Sequence, residues 1–94
     1  MATQITHDEP AQRFHIHVDD QDAGVLEYQD TGGGWVFTHT EVKPEFTGRG
    51  LAGMLAGHAL REAVSKGKDI KPVCPFVVAY VKKHPEFQDH VVED

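Results

Sequence analysis

The sequence contains a single cysteine, Cys74, among its 94 residues. One cysteine excludes an internal disulfide, so packing and hydrogen bonds alone must hold the fold together. Long apolar runs are also missing, since none approaches the roughly 20 residues that a membrane-spanning helix needs. The first residues also lack the basic segment followed by an apolar one that is typical of a secretory signal peptide. We therefore predict one soluble domain over residues 1–94, located in the cytoplasm and without a membrane partner.

Positive charge is scarce in the first half of the chain. Residues 1–42 carry only Arg13 against eight carboxylates, whereas residues 43–94 carry eight lysines and arginines against seven carboxylates, and the net charge is −6. Non-specific nucleic-acid binding depends on many cationic contacts to phosphate, so we expect no nucleic-acid partner. An amine would be attracted to the acidic half, and an anionic cofactor to the half where Lys43 and Arg49 flank a glycine-rich turn. Ordinary solvated surface accounts for the same asymmetry.

Alternation of apolar and polar residues predicts three strands, separated by turns rich in aspartate and glycine. These strands are Arg13–Val18, Val25–Tyr28 and Trp35–Val42. Because the connections are short, we predict that the strands form an antiparallel meander. Residues 1–12 lack periodicity, the tail from Pro85 is polar, and we expect residues 1–12 and 88–94 to be loosely ordered.

The period of the apolar pattern changes after Pro44. Apolar residues recur every three or four positions from Leu51 to Ala63, which predicts a long amphipathic helix that ends at Lys66-Gly67. A short strand, Asp69–Val73, and a second helix, Pro75–Lys83, follow. The strand–helix–strand order implies a parallel pairing. The predicted fold is therefore α+β, with a three-stranded antiparallel meander, a long helix, a further parallel strand and a C-terminal helix.

The turn before the long helix carries the clearest functional pattern. Gly48–Gly53 matches G-x-G-x-x-G, the dinucleotide fingerprint. A dinucleotide-binding domain is excluded, because antiparallel strands precede the turn and too little chain follows it. What remains is a strand, a glycine turn and a helix whose first amides can bind a pyrophosphate. The alternative is a tight turn that needs glycine only for its backbone conformation.

Cys74 is the second feature with chemical potential. It precedes Pro75, which places it at the N-cap of the second helix, where the helix dipole favours a thiolate. The alternative is a small buried apolar residue at a strand end. His15, His17 and His39 are candidate metal ligands, but no companion residue has the spacing of a known metal motif, and we predict no metal site.

Four segments, in this order and spacing, resemble the GCN5-related N-acetyltransferases, and among them the very small YjdJ-type domain. They are His39–Val42 (HTEV), Thr47–Gly53 (TGRGLAG), Val73–Val77 (VCPFV) and Tyr80–Phe87 (YVKKHPEF). The superfamily motif for acetyl-CoA, Arg/Gln-x-x-Gly-x-Gly/Ala, corresponds here to Glu45–Gly50, with a glutamate in its first position. The resemblance runs from about Arg13 to Phe87 and implies a minimal version of that family's fold.

The resemblance also implies a reaction, the transfer of an acetyl group from acetyl-CoA to a primary amine. By this resemblance, the backbone of Glu41–Lys43 would pair with pantetheine, and Thr47–Ala52 would hold the pyrophosphate. The backbone amide of a bulge in the third strand would polarise the thioester carbonyl. The residues implied in cofactor binding are Glu41, Val42, Lys43, Thr47, Gly48, Arg49, Gly50, Leu51 and Ala52. Tyr80 would protonate the leaving CoA thiolate, and Cys74 would act as a nucleophile or an acid.

Alternative functions stay open at this point. The elements that wall the acceptor site in larger relatives are absent, so a CoA-binding or interaction module with little turnover is the second hypothesis. Phosphate or nucleotide binding unrelated to CoA is the third. His39 and Glu41 are alternatives for accepting the amine's proton, and an open site suits an amine of a protein or peptide. Trp35 and Phe37, expected near a sheet edge, are consistent with a monomer or a weak dimer.

Overall fold

The strands pair into one mixed sheet in chain order, β1-β2-β3-β4-β5. The computed structural model describes residues 2–92. Within them, β1 to β4 pair antiparallel and β5 pairs parallel with β4. The elements are β1 Thr3–Asp8, β2 Arg13–Val18, β3 Gln21–Asp30, β4 Gly34–Val42, α1 Leu51–Ser65, β5 Asp69–Pro72 and α2 Pro75–Lys83. The predicted α+β class is confirmed, and the antiparallel part of the sheet has one strand more than predicted.

The N-terminal segment is more ordered than the sequence predicts. Thr3–Asp8 forms the edge strand β1, which pairs with β2 over its full length. Its alternation is hidden because a histidine occupies a core position. The ring of His7 stacks on Phe14 with centroids 4.0 Å apart, while Ile5 is the one apolar side chain of the strand that packs against the core. A hydropathy pattern does not register a histidine that behaves as an aromatic core residue.

The C-terminal segment is also partly ordered. Pro85–His90 forms a 3-10 helix whose Phe87 is buried. Val91 then forms a parallel bridge with Ile70 of β5, and the amide of Val92 donates to the Ile70 carbonyl at 2.8 Å. Burial of Phe87 thus anchors a segment predicted to be loose from residue 88 onward. Residues 93–94 of that prediction, and Met1 of the N-terminal one, lie outside the described residues.

The core lies between the inner face of the sheet and α1. The side chains that are buried without any exposed area include Phe14, Ile16, Leu26, Phe37, Leu55, Ala59, Leu60 and Ile70. Trp35 is 2% exposed. The expectation that Trp35 and Phe37 lie near a sheet edge is therefore wrong, because β5 pairs with β4 beyond them. Within the described residues, no helix is long and apolar enough to cross a bilayer.

Candidate functional site

Strands β4 and β5 separate halfway along β4. Their pairing ends where Phe37 lies opposite Pro72. The amides of Val73 and Cys74 both donate to the Phe37 carbonyl, at 3.1 and 2.9 Å, and the chain then enters α2. Proline at the first position of α2 suits the start of a helix and cannot extend a ladder. Over residues 38–42 the edge of β4 faces an opening instead of a strand.

A β-bulge lies at the same place in β4. Glu27 pairs with His39 and Tyr28 with Phe37, so Thr38 is the extra residue on β4. The Thr38 hydroxyl donates to the Glu27 carbonyl at 3.3 Å. Bulges bend a strand and redirect its backbone groups, and they are frequent beside active sites. The structure thus contains the bulge that the family resemblance implies.

The backbone beyond the bulge alternates between β3 and the opening. The amide of Lys43 donates to the Ala23 carbonyl at 2.8 Å, so it faces β3, and the strand alternation directs the Val42 and Thr40 backbone groups the other way. Of the three residues expected to pair with pantetheine, Val42 therefore presents its backbone to the opening. The side chains of Glu41 and Lys43 line a separate depression on the opposite sheet face.

The glycine turn leaves the start of α1 open. Gly48 and Gly50 have left-handed backbones, with φ of 82° and 73°, and a Cβ at either would meet no atom within 4 Å. Gly50 is the N-cap of α1, with no side-chain cap and no acidic residue in the first turn. Unpaired amides and the positive end of the helix dipole therefore point at open space, which favours an anion.

A cavity of about 430 Å³ opens in front of this turn. Its lining consists of Val42, Phe46, Thr47, Gly48, Gly50, Leu51, Ala52, Gly53 and Phe76. Six of the nine residues expected to bind the cofactor are in this set, and Glu41, Lys43 and Arg49 are not. The Arg49 guanidinium lies over the Phe46 ring, 5.4 Å from its centroid.

Three of the lining residues are missing from the sequence-based set. Phe46 and Gly53 flank the run Thr47–Ala52 that was expected to bind the cofactor, so extending that run by one position on each side would find them. Phe76 is 38% exposed although its spacing suggests the apolar stripe of α2. Its position directly after Cys-Pro at a helix start gives little indication that Phe76 lines a cavity. The sequence does not show that β4 and α2 separate at this point.

Cys74 is both buried and acidified. It is the N-cap of α2, its exposed fraction is 6%, and its Sγ lies 3.6 Å from Oγ1 of Thr40. Burial raises the pKa of the thiol, but the Thr40 hydroxyl and the backbone amides of Val77 and Phe76 outweigh that effect, so the pKa lies below its ordinary value. The structure therefore shows the predicted N-cap position together with burial, and the role of the thiol stays a prediction.

Tyr80 packs across α1. A Cβ at Gly57 would lie 2.6 Å from the Tyr80 hydroxyl oxygen, and one at Gly53 would lie 3.8 Å from the ring. These two glycines therefore make room for a tyrosine side chain against α1. The ring stacks on His84 with centroids 3.8 Å apart. Cys74 thus lies against β4, and Tyr80 against α1.

The histidines considered as metal ligands lie on β2 and β4. His15 and His17 have ring centroids 6.1 Å apart, and His39 Nε2 lies 3.8 Å from Oε1 of Glu41. Among residues 2–92, no three or more His, Cys, Asp or Glu side chains are arranged to hold a metal ion. His39 and Glu41 stand next to the bulge and are mostly exposed, which is suitable for groups that accept a proton.

The opening, the bulge and the uncapped helix together suit an extended ligand that carries a diphosphate. The apolar cavity wall and the Val42 backbone would hold an amide-containing arm, and the turn would hold the charge. A mixed sheet that opens between two parallel strands beside such a turn defines the class of N-acetyltransferase folds. The profile of a family described as GCN5-related N-acetyl-transferase matches residues 13–90. The chain belongs to this family.

Comparisons with individual proteins agree with this assignment. The chain is 32% identical over 92 residues to Protein NATD1 of Gallus gallus, covering 94% of this chain and 84% of that protein. It is 32% identical over 84 residues to Protein NATD1 of Xenopus tropicalis, covering 87% and 77%.

Solved structures show the same fold. A GCN5-like protein from Staphylococcus aureus, solved by NMR, superposes with a TM-score of 0.73 at 20% identity, covering 97% of this chain and 89% of that chain. A ribosomal-protein-alanine N-acetyltransferase from Brucella melitensis biovar Abortus 2308 superposes with a TM-score of 0.61 at 17% identity, covering 85% and 60%. At these identities the likeness concerns the fold.

Proposed function

We propose that this protein is an acetyl-CoA-dependent N-acetyltransferase that acts on a primary amine of a protein or peptide. The observation that carries the proposal is the uncapped start of α1, which faces a cavity at the opening between β4 and α2. Acetyl-CoA supplies an acetyl group activated as a thioester. The sections of the chain around the cavity supply binding, orientation and proton transfer.

Backbone groups do most of the binding in this proposal. The amides at the start of α1, from Leu51 and Ala52, donate to the diphosphate, and the left-handed glycines Gly48 and Gly50 let the chain approach it closely. Val42 offers its backbone N–H and C=O to the pantetheine amides. Because these contacts come from the backbone, Glu45 in the first position of the family motif does not remove them.

The groups proposed for the chemistry come from β4 and α2. A backbone amide at the Thr38 bulge polarises the acetyl carbonyl, and such preorganised donors are worth about 2.7–4 kcal/mol of barrier in known enzymes. His39 or Glu41 accepts the proton of the attacking amine. Tyr80 donates a proton to the departing thiolate of CoA.

Cys74 has two possible roles that mass spectrometry separates. As a nucleophile, its Sγ forms a bond to the acetyl carbon while the bond from that carbon to the CoA sulfur breaks, and the amine then takes the acetyl group and restores the thiol. As an acid, it gives its proton to the CoA sulfur. Acetyl-CoA without an amine would acetylate the protein at Cys74 in the first case and leave its mass unchanged in the second.

Two measurements test the function. Isothermal titration calorimetry with CoA, and with ATP as a competitor, tests the ligand, and thiol release with acetyl-CoA and a panel of lysine peptides and small amines tests the reaction. We expect CoA to bind, ATP to compete weakly and peptide amines to stimulate thiol release. Absence of CoA binding would refute the proposal, and competition by ATP as strong as by CoA would favour a general phosphate site.

A CoA-binding module with little turnover is the second candidate. The outer face of the sheet favours it, because β2, β3 and β4 carry exposed or half-exposed polar side chains there, with no described element covering them. An open face offers little to hold an acceptor in position. CoA binding without thiol release for any amine would support this candidate over the enzyme.

A further inference from the structure

A contact between two side chains closes the inner end of the opening between β4 and α2. Sγ of Cys74, the N-cap of α2, lies 3.6 Å from Oγ1 of Thr40 on β4. The backbone amide of Thr40 also donates to this sulfur. The two side chains therefore span the opening from one element to the other.

The cavity at the glycine turn ends before this contact. Its lining extends to Val42 on β4 and to Phe76 on α2, and it includes neither Thr40 nor Cys74. Thr40 precedes Val42 by two residues, and Cys74 precedes Phe76 by two residues. The contact thus lies further in than the cavity wall on both sides of the opening.

The structure behind the contact is closely packed. The Phe37 carbonyl accepts from the amides of Val73 and Cys74, which joins β4 to the chain just before α2. The side chains of Phe37 and Val77 have no exposed area, and only 6% of Cys74 is exposed. Packed interiors resist even one additional methylene group. A ligand group that reaches the contact therefore meets a wall.

We propose that the contact between Cys74 and Thr40 limits the length of the acyl group, so that acetyl-CoA is accepted and longer acyl-CoA molecules are rejected. This inference rests on the proposed function, in which the start of α1 binds the diphosphate and Val42 pairs with pantetheine. A ligand bound in that direction has its thioester at the inner end of the opening, and its acyl group points at the contact. A butyryl group is longer than an acetyl group by two methylene groups.

Acyl-CoA donors of different length test this limit. Thiol release with acetyl-CoA, propionyl-CoA and butyryl-CoA, measured with the most reactive amine of the panel, gives kcat/KM for each donor. Because one methylene group changes kcat/KM by roughly 10–200-fold in a closely fitting pocket, we expect a loss of about tenfold or more from acetyl-CoA to butyryl-CoA. Equal values for the three donors would overturn the inference and leave the proposed enzyme standing.

Two variants of Thr40 test whether the size of its side chain sets the limit. Thr40→Ala shortens the side chain, so we expect kcat/KM for butyryl-CoA to rise several-fold relative to that for acetyl-CoA. Thr40→Val is the matched control, since valine has the shape of threonine, and it should discriminate as the unmodified protein does. Thermal unfolding confirms that both variants fold. Full discrimination in Thr40→Ala would contradict the inference.

Isothermal titration calorimetry provides a readout that does not depend on turnover. We expect the unmodified protein to bind acetyl-CoA more tightly than butyryl-CoA, and the difference to shrink in Thr40→Ala and in Cys74→Ala, which removes the other half of the contact. If the protein binds acyl-CoA without releasing thiol, the proposed enzyme is refuted and the affinities alone decide the inference, which equal affinities would contradict. Absence of binding by every donor would refute both.

Discussion

At the scale of single residues, the pKa of the Cys74 thiol depends on its neighbours in opposing ways. Burial alone would raise its pKa, and the Thr40 hydroxyl heads the contacts that bring it below the ordinary value. Thr40→Val keeps the shape of the side chain and removes the hydroxyl. We expect it to move the titration midpoint of the Cys74 thiolate, followed by ultraviolet absorbance, to higher pH.

Thr38→Val is the control for this titration, since the Thr38 hydroxyl bonds to Glu27 instead of Cys74. We expect the midpoint of this variant to stay where it is in the unmodified protein. A midpoint that does not move in Thr40→Val would show that the backbone amides of Val77, Phe76 and Thr40 lower the pKa of the thiol without the hydroxyl.

At Gly57, the effect of a substitution on stability depends on the space beside the helix. Alanine is favoured over glycine in a helix by about 1 kcal/mol, but a Cβ here would lie 2.6 Å from the Tyr80 hydroxyl oxygen and 3.6 Å from the ring carbon that bears it. We expect Gly57→Ala to destabilise the protein by about 1–3 kcal/mol, as overpacking does. In a Tyr80→Phe background the clash disappears, and the same substitution should stabilise.

Chemical denaturation of the four proteins in this double-mutant cycle measures the coupling between the two positions. A destabilisation by Gly57→Ala that is the same with Tyr80 and with phenylalanine would mean that the tyrosine hydroxyl does not occupy the space beside Gly57.

At the scale of secondary-structure elements, the start of α1 is expected to act as the anion site. Ala52→Asp places a negative charge in the first turn, which suits the helix dipole but repels a diphosphate. Because one charge near a helix end is worth roughly 0.3–2 kcal/mol and about 1.4 kcal/mol is a tenfold change, we expect CoA affinity to fall by about twofold to thirtyfold. Isothermal titration calorimetry measures this change in CoA affinity.

Ala52→Asn is the matched neutral variant for this experiment, since asparagine has the shape of aspartate without its charge. It should bind CoA within a few-fold of the unmodified protein. If both variants lose affinity equally, the size of the side chain matters and the charge does not.

Strand β1 makes the stability of the fold depend on pH. The His7 ring faces the core and is partly buried, with Nε2 2.6 Å from the Tyr28 hydroxyl. Burial, as the main cause, lowers the pKa of His7 from 6.5. As the pH falls below 6.5, the unfolded chain takes up a proton before the folded chain does, so stability falls until the pH passes below the lowered pKa.

Chemical denaturation at a series of pH values checks this expectation. His7→Phe should flatten the loss of stability that begins near pH 6.5, whereas the exposed His39→Gln should retain it. The carboxyls of Glu9 and Asp30 also have lowered pKa values, but their stabilising contributions are lost only at more acidic pH. A loss below pH 6.5 that persists in His7→Phe would place its origin elsewhere.

The same elements show what the sequence could predict. Helix α1 begins at Leu51 and ends next to Lys66-Gly67 as expected, because its apolar period and glycine signals are local. Strand β1 was missed because His7 fills a core position that polarity scales do not recognise. In the site, the glycine turn and the position of Cys74 are local and were predicted, whereas the role of Phe76 depends on how far β4 and α2 separate, which is tertiary.

At the scale of the whole molecule, the proposed cofactor site and a second cavity beside Trp35 lie at different places along β4. The first is reached from the opening beyond Phe37, and the second from the start of the strand at Trp35. Both border α1, at its first turn and its last. A chain of 94 residues thus provides one strand and one helix long enough to separate two cavities.

The separation of β4 from β5 makes β4 an interior strand in its first half and an edge strand in its second half. Backbone amides exchange with solvent deuterium slowly where they are paired and faster where they are not. In the free protein, Trp35 and Phe37 should therefore exchange slowly while Val42 exchanges quickly. CoA should slow exchange at Val42 and leave Phe37 unchanged. Exchange at single-residue resolution thus shows whether the free edge of β4 becomes paired when the ligand binds.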